Sequence, residues 1–349
     1  MVFGVFIYKY RMRGTLSMTK FENAGVSQKI ISLMADVNIS TVGRWIKRSK
    51  LDNSALSTER VRHSRYSVAD VRTILSENYK QSLQNKDVVM SFYNFKGGTG
   101  KTSLCYQVST HLALFGYNVL VIDADPQGHL STSLGFDNNH EYPTICDVVN
   151  GTIPIRSAIR EVFPGLSCIP SNLSLTRLEV FLTSATKREE IILNHIEKLS
   201  GQYDFIIFDT NPTISLLNRN ILVASDLISI VCETQPYSLN GLKILMEDMN
   251  IFFQNMRLNF PDVLVIPNKY EDRSSNSAES MTVLRQYYAD FMVKDFAVRK
   301  SEDIPTSAKQ SLPLAFFARS NSIALEDILD LTREIVKKFS INITEEVVA

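Results

Sequence analysis

The chain has 349 residues with 44% hydrophobic and 21% charged residues, and its 14 glycines and 11 prolines exclude a collagen-like or largely disordered protein. Its length exceeds the ~100 to 200 residues of a common single domain, so one large domain with a smaller appendage, or two comparable domains, is expected. The net charge of zero is an average over unequal parts: residues 1–88 hold 15 Lys/Arg against 7 Asp/Glu, which leaves 22 against 30 for the remainder. A basic head is joined to an acidic body, and only the head carries a charge balance suited to phosphate backbones.

The first apolar run, VFGVFI, is too short to cross the ~30 Å hydrocarbon core of a bilayer. Residues 1–17 read as a flexible tail. Cys105, Cys146, Cys168 and Cys232 lie far apart without a CxxC spacing, which fits a reducing, cytoplasmic compartment better than a zinc site.

From Val26 to Ser49, Ile30, Ile31 and Met34 recur at helical spacing, Asp36 to Asn38 breaks the run, and Val42, Trp45 and Ile46 form a second stripe. Two short helices with a tight turn follow, the second capped by Asn38. Thr41, Arg44 and Arg48 on its polar face are the candidate contacts to operator DNA; an ordinary helical hairpin with a solvated basic face is the competing reading. The next stretch, RVRHSRYSVADVRTILSE from Arg60 to Glu77, offers a basic strand-like segment, a Ser67 cap and a helix through Val68, Val71, Ile74 and Leu75. It resembles the wing and following helix of MerR-type winged helix-turn-helix modules. The expected boundaries are a DNA-binding domain over 18–78, a polar linker over 79–87 and the main domain over 88–349.

From Val88 the pattern alternates between buried strand and helix. VVMSFYNF, YNVLVIDAD, YDFIIFDTN, LISIVCE and VLVIPNKY are near-continuous apolar strands, with room between them for crossover helices. A mostly parallel sheet flanked by helices is the natural solution.

Between the first of these strands and its helix lies FKGGTGKTS. Gly97, Gly98, Thr99 and Gly100 let backbone amides converge into an anion nest that continues into the helix N-terminus. Lys101 adds charge for the phosphates, and the hydroxyls of Thr102 and Ser103 follow, that of Thr102 placed for magnesium. A strict P-loop has glycine six residues before Lys101, where this chain has Phe95. The strand ending VIDADPQG brings Asp123 and Asp125 to the phosphate-facing end of the sheet, and FIIFDTNP brings Asp209 to the Walker B position, where it can hold magnesium through water. Asn268, after the last apolar strand, offers an amide to an adenine edge, and Pro305 in IPTSA marks a loop that could cover the base.

KGGTGKT, with the additional Lys96 before the glycine pair, resembles the deviant Walker A motif of the ParA/MinD family of dimeric ATPases. DADPQG, DTNP and the Gln235 to Leu242 segment also resemble family motifs, so the likeness covers about residues 88–338. It implies a P-loop NTPase fold with ATP and Mg2+ as cofactors. Lys96 becomes the lysine that reaches the partner subunit's nucleotide, Lys101 the lysine that acts on its own, Asp125 the carboxylate that orients water, and Asp123 a member of the metal shell. Ser103 replaces a common threonine, and His129 stands where the family often has Asn.

Members with an N-terminal operator-binding domain are partition ATPases. The resemblance therefore implies a homodimer that binds nonspecific DNA on the nucleoid of a bacterium, a ParB-like partner that stimulates hydrolysis, and autoregulation of the operon. An ATP-sensing transcriptional regulator is the alternative. A MinD-like membrane ATPase is disfavoured by the acidic ITEEVVA ending. Lys294, Arg299, Lys300, Lys309 and Arg319 are the candidates for nonspecific DNA contacts, and deletion of residues 1–85 is expected to leave a working body.

Overall fold

The computed structural model describes residues 21, 24–51, 64–85, 87–137 and 140–341. The tail expected over 1–17, most of the basic wing from Arg60 and the acidic ending after Ile341 lie outside the described residues.

The head begins with β1 (Val26–Ser27), α1 (Gln28–Met34) and α2 (Ile39–Arg48), and continues with β2 (Arg65–Tyr66) and α3 (Val68–Asn78). Each helix starts where a short polar side chain replaces a missing intrahelical partner. Ser27 Oγ accepts from Ile30 N at 3.3 Å, Asn38 Oδ1 from Ser40 N at 3.1 Å, and Ser67 with Asp70 forms a reciprocal capping box. The two short strands pair antiparallel, Val26 opposite Tyr66. Val42 and Ile46 of α2 turn inward while Arg44 and Arg48 face solvent, as the helical spacing requires.

A separate winged helix-turn-helix domain is not resolved among the described residues. Val68, Val71, Ile74 and Leu75 of α3 belong to the same continuous core as the body. Three arginines then bind main-chain carbonyls across the junction. Arg72 donates to Ala113 O and, at 2.8 Å, to Tyr117 O; Arg65 donates to Phe316 O at 2.8 Å; Arg333 of the body donates to Leu33 O. The fit is close, because a Cβ on Gly116 would stand 2.8 Å from Ser76 Cβ. The segment expected as a linker is also held: Gln84 N donates to Phe339 O at 2.8 Å, and Ile341 N to Ser82 O at 3.0 Å.

The body contains β3 (Val88–Tyr93), α4 (Lys101–Leu114), β4 (Val119–Ala124) and α5 (His129–Ser133), then α6 (Ile145–Val149), α7 (Ile155–Ala158), β5 (Arg160–Phe163) and β6 (Leu166–Ile169). After these come α8 (Leu178–Ser184), α9 (Ile191–Ile196), β7 (Phe205–Thr210), α10 (Leu216–Ala224), β8 (Leu227–Glu233) and α11 (Pro236–Met256). The chain continues with β9 (Asp262–Asn268), α12 (Ser275–Tyr288), α13 (Asp303–Gln310), α14 (Leu314–Phe317) and α15 (Ile323–Phe339). The seven strands are ordered β5-β6-β4-β7-β3-β8-β9, and all neighbours run parallel except β5 against β6. Strands β3, β4 and β7 are buried along their whole length, which is why their sequences read as unbroken apolar runs rather than alternating ones. The head, α4 and α15 pack on one face of the sheet, and α6 to α10 pack on the other. This P-loop α/β architecture brings the C-terminal ends of β4, β7, β3 and β8 to one rim.

Candidate functional site

The loop from Asn94 to Gly100 joins β3 to α4 at that rim. Its backbone needs the left-handed region at Gly98 (φ 77°) and Gly100 (φ 98°). At Gly100 there is no room for a side chain either, since a Cβ would lie 2.3 Å from Asn268 Nδ2. Asn268 donates to Thr99 O at 2.7 Å, so this buried amide fastens the loop to the end of β9. No side chain caps the N-terminus of α4, whose first amides stay available to an anion. Lys101 is buried beside them with Nζ 3.1 Å from Lys96 O; burial lowers its ammonium pKa, while Asp209 and Asp125 pull the other way. Thr102 and Ser103 follow in the first turn.

Sheet register sets the carboxylates. Asp123 at the end of β4 lies directly opposite Asp209 at the end of β7. Both are fully buried, and burial holds both above the ordinary carboxylate range; at Asp209 the neighbouring Asp123 adds to the rise. Their environments differ. Asp123 is saturated with donors, accepting from Ser131 Oγ at 2.7 Å, Ser131 N at 2.8 Å and Asp125 N at 3.1 Å. Asp209 makes no hydrogen bond of ordinary geometry on either oxygen, although the Thr102 side chain lies near enough to draw its pKa down against the rise. A buried carboxylate so poorly hydrogen-bonded is costly, and its chemistry fits a bound cation. The Thr102 side chain faces it, so Asp209 and Thr102 fit magnesium, and Asp123 fits the task of holding the 125–131 turn. Asp125 stands at the mouth of the cleft, half-buried, with Oδ1 accepting from Gln127 N at 2.9 Å.

Sequence reasoning missed Glu233. It ends β8 opposite Asn268 of β9, and its two oxygens take two lysines: Lys96 Nζ at 2.7 Å on Oε2 and Lys269 Nζ at 2.7 Å on Oε1. Lys269 also donates to Gly98 O at 2.6 Å. The signal was a glutamate closing an apolar strand that ends on the phosphate rim, but only the pairing of β8 with β9 reveals the second lysine. Pro305 is exposed in the first turn of α13, where its missing N–H costs no helical bond, so IPTSA is helix rather than loop.

On the head, Thr41, Arg44 and Arg48 share one face of α2, and Arg44 Nη2 donates to Thr41 Oγ1 at 3.0 Å. The basic candidates of the body separate into two groups. Arg299 is spent on Asp327 and Glu326, and Lys300 on Glu271, whereas Lys294, Lys309 and Arg319 are exposed and form no ion pair among the described residues.

An anion nest with a buried lysine beside it, faced by strand-end carboxylates, defines a P-loop nucleotide site. The AAA domain family matches residues 87–261. The cell division protein PomZ of Myxococcus xanthus is 30% identical over 238 residues, covering 68% of this chain and 74% of PomZ. The chromosome partitioning protein ParA of Caulobacter vibrioides is 27% identical over 253 residues, covering 72% of this chain and 94% of ParA. Among solved structures, an ATP complex of McdA from Cyanothece superposes with a TM-score of 0.66 at 20% identity, covering 74% of this chain and all of that one, which is a likeness of fold. The chain belongs to the ParA/MinD family of P-loop ATPases.

Proposed function

We propose that the protein is a partition-type ATPase that binds ATP with magnesium, dimerises on it, binds DNA in that state and hydrolyses ATP when a ParB-like partner stimulates it. The observation that carries this reading is the division of labour around the P-loop: Lys101 is buried in the cradle, while Lys96 stands outside it with 40% of its side chain exposed. A lysine wholly devoted to its own nucleotide would be expected inside. Ile214 and Tyr237, both exposed in the segments after β7 and β8, give the rim apolar surface that a second subunit can cover.

In this reading Gly97 to Ser103 and Lys101 hold the phosphates, and Thr102 and Asp209 hold magnesium, which neutralises charge developing on the phosphates when bound. Asp123 fixes the turn that carries Asp125, and Asp125 orients the attacking water. Asn268 keeps the loop in register through Thr99 O and is the candidate contact to the adenine edge. Thr41, Arg44 and Arg48 read operator DNA, and Lys294, Lys309 and Arg319 supply nonspecific phosphate contacts. A cytoplasmic, nucleoid-bound protein follows. No helix among the described residues is long and apolar enough to cross a membrane.

The docking of α3 on α4 favours a second reading, a regulator whose head answers to nucleotide without appreciable turnover. Phosphate release measured with random duplex and with a ParB-like partner separates the two. Stimulated turnover supports partition, and ATP-dependent operator binding without turnover supports the regulator.

A further inference from the structure

Lys96 carries a constraint that the P-loop motif does not announce. Its ammonium meets Glu233 Oε2 at 2.7 Å and Ser238 Oγ at 2.9 Å, so two elements of its own chain, the end of β8 and the start of α11, hold it. Glu233 is the fixed member of this pair, with 16% of its side chain exposed against 40% for Lys96. Burial pushes the Glu233 carboxyl up, but Lys269 and Lys96 outweigh it and hold the group below the ordinary range. The carboxylate is therefore charged, and it offers Lys96 an alternative to any phosphate.

We infer that Glu233 is a positioning residue that, with Ser238, holds Lys96 within its own subunit, and that ATP-dependent dimerisation requires Lys96 to exchange this carboxylate for the phosphates of the facing subunit. The inference rests on the reading of Lys96 as the lysine that crosses the interface. Its physical content is a competition. The strength of the Glu233 contact sets part of the threshold for dimer formation, and weakening the contact lowers that threshold. Lys269 is the other occupant of the carboxylate, and it also donates to Gly98 O.

The test is sedimentation velocity of the full chain over a series of protein concentrations with magnesium and AMPPNP. Glu233→Gln keeps the shape and removes the charge, and should form dimers at a concentration about two- to fivefold below that of wild type, the scale of a partly exposed ion pair. Ser238→Ala should shift the midpoint in the same direction by less. Lys96→Ala, alone or combined with Glu233→Gln, should not dimerise.

An unchanged or higher midpoint for Glu233→Gln, with its thermal midpoint matching wild type, overturns the inference. If Glu233→Gln does not fold, Ser238→Ala decides alone, and an unchanged midpoint there overturns it equally. Dimerisation by the double variant but not by Lys96→Ala would show Glu233 acting on the phosphates directly, which also overturns it. Wild-type dimerisation by Lys96→Ala overturns the underlying reading instead, so the two failures are distinguishable.

Discussion

Arg72 of the head donates to Tyr117 O at 2.8 Å, just beyond the C-terminal end of the helix whose other end is the phosphate loop. The same guanidinium reaches Ala113 O and Asn118 Oδ1, and Gly165 leaves it room, since a Cβ there would overlap the guanidinium. One arginine thus satisfies carbonyls left over at a helix end. Removing it strands buried acceptors, so Arg72→Ala should cost about 1–3 kcal/mol of stability, read from urea unfolding at neutral pH. The packing of α3 in the body's core bears on the truncation that the sequence led us to expect would leave a working body. Deleting residues 1–85 strips α3 from the common core, and the shortened chain should aggregate; a soluble truncated chain with cooperative unfolding would show that the body needs no head.

Lys101→Ala removes a charge-assisted contact at the base of the cradle, and nucleotide affinity should fall by about tenfold to a hundredfold. Titration with a fluorescent ADP measures it. Lys96→Ala leaves the cradle intact and should bind the same nucleotide within about twofold of wild type, because its ammonium faces Glu233 rather than the loop amides. Equal losses in the two variants would contradict the division between them.

Asp125→Ala should bind ATP and magnesium yet lose at least about 100-fold in single-turnover hydrolysis, since a water-orienting carboxylate acts on the chemical step more than on binding. Asp123→Ala should differ by losing thermal stability as well, because Ser131 and the 125–131 turn are built on it. Turnover by Asp125→Ala at the wild-type rate would reassign the catalytic carboxylate.

The apolar strands β3, β4, β7, β8 and β9 were legible because both faces of a parallel sheet are covered, leaving each strand as a hydrophobic run that ends in a polar residue. Asn38 and Ser67 were legible as caps because helix N-termini need short acceptors. The hairpin of β5 and β6 was not, since strands of four residues give too little period to read. Glu233 escaped because its meaning depends on which strands lie side by side, and Arg72 because its acceptors are backbone carbonyls some 41 residues and more away. Pro305 misled because proline in a first helical turn has the same local signature as proline in a loop.

His111 is fully buried on α4, with Nδ1 2.7 Å from Gln107 O and Nε2 without a partner. Burial lowers its pKa from 6.5 to about 4, with the Gln107 carbonyl opposing the fall. The unfolded chain takes up a proton near pH 6.5 and the folded chain does not, so this group's contribution is complete above pH 6.5 and is lost as pH falls toward about 4. The loss is about 3 kcal/mol at most. Unfolding free energies from urea titrations between pH 7.5 and 5 should fall more steeply for wild type than for His111→Leu, and parallel slopes would show that His111 is not the sensitive group.

Phosphate release from ATP with magnesium, measured per subunit across a hundredfold range of full-length protein, distinguishes a site shared between subunits from one complete in a single chain. In the proposed function each site is completed by Lys96 of a second subunit, so turnover should rise with protein concentration and should disappear in Lys96→Ala while ADP binding persists. Turnover per subunit that is independent of concentration and unchanged in Lys96→Ala would contradict it.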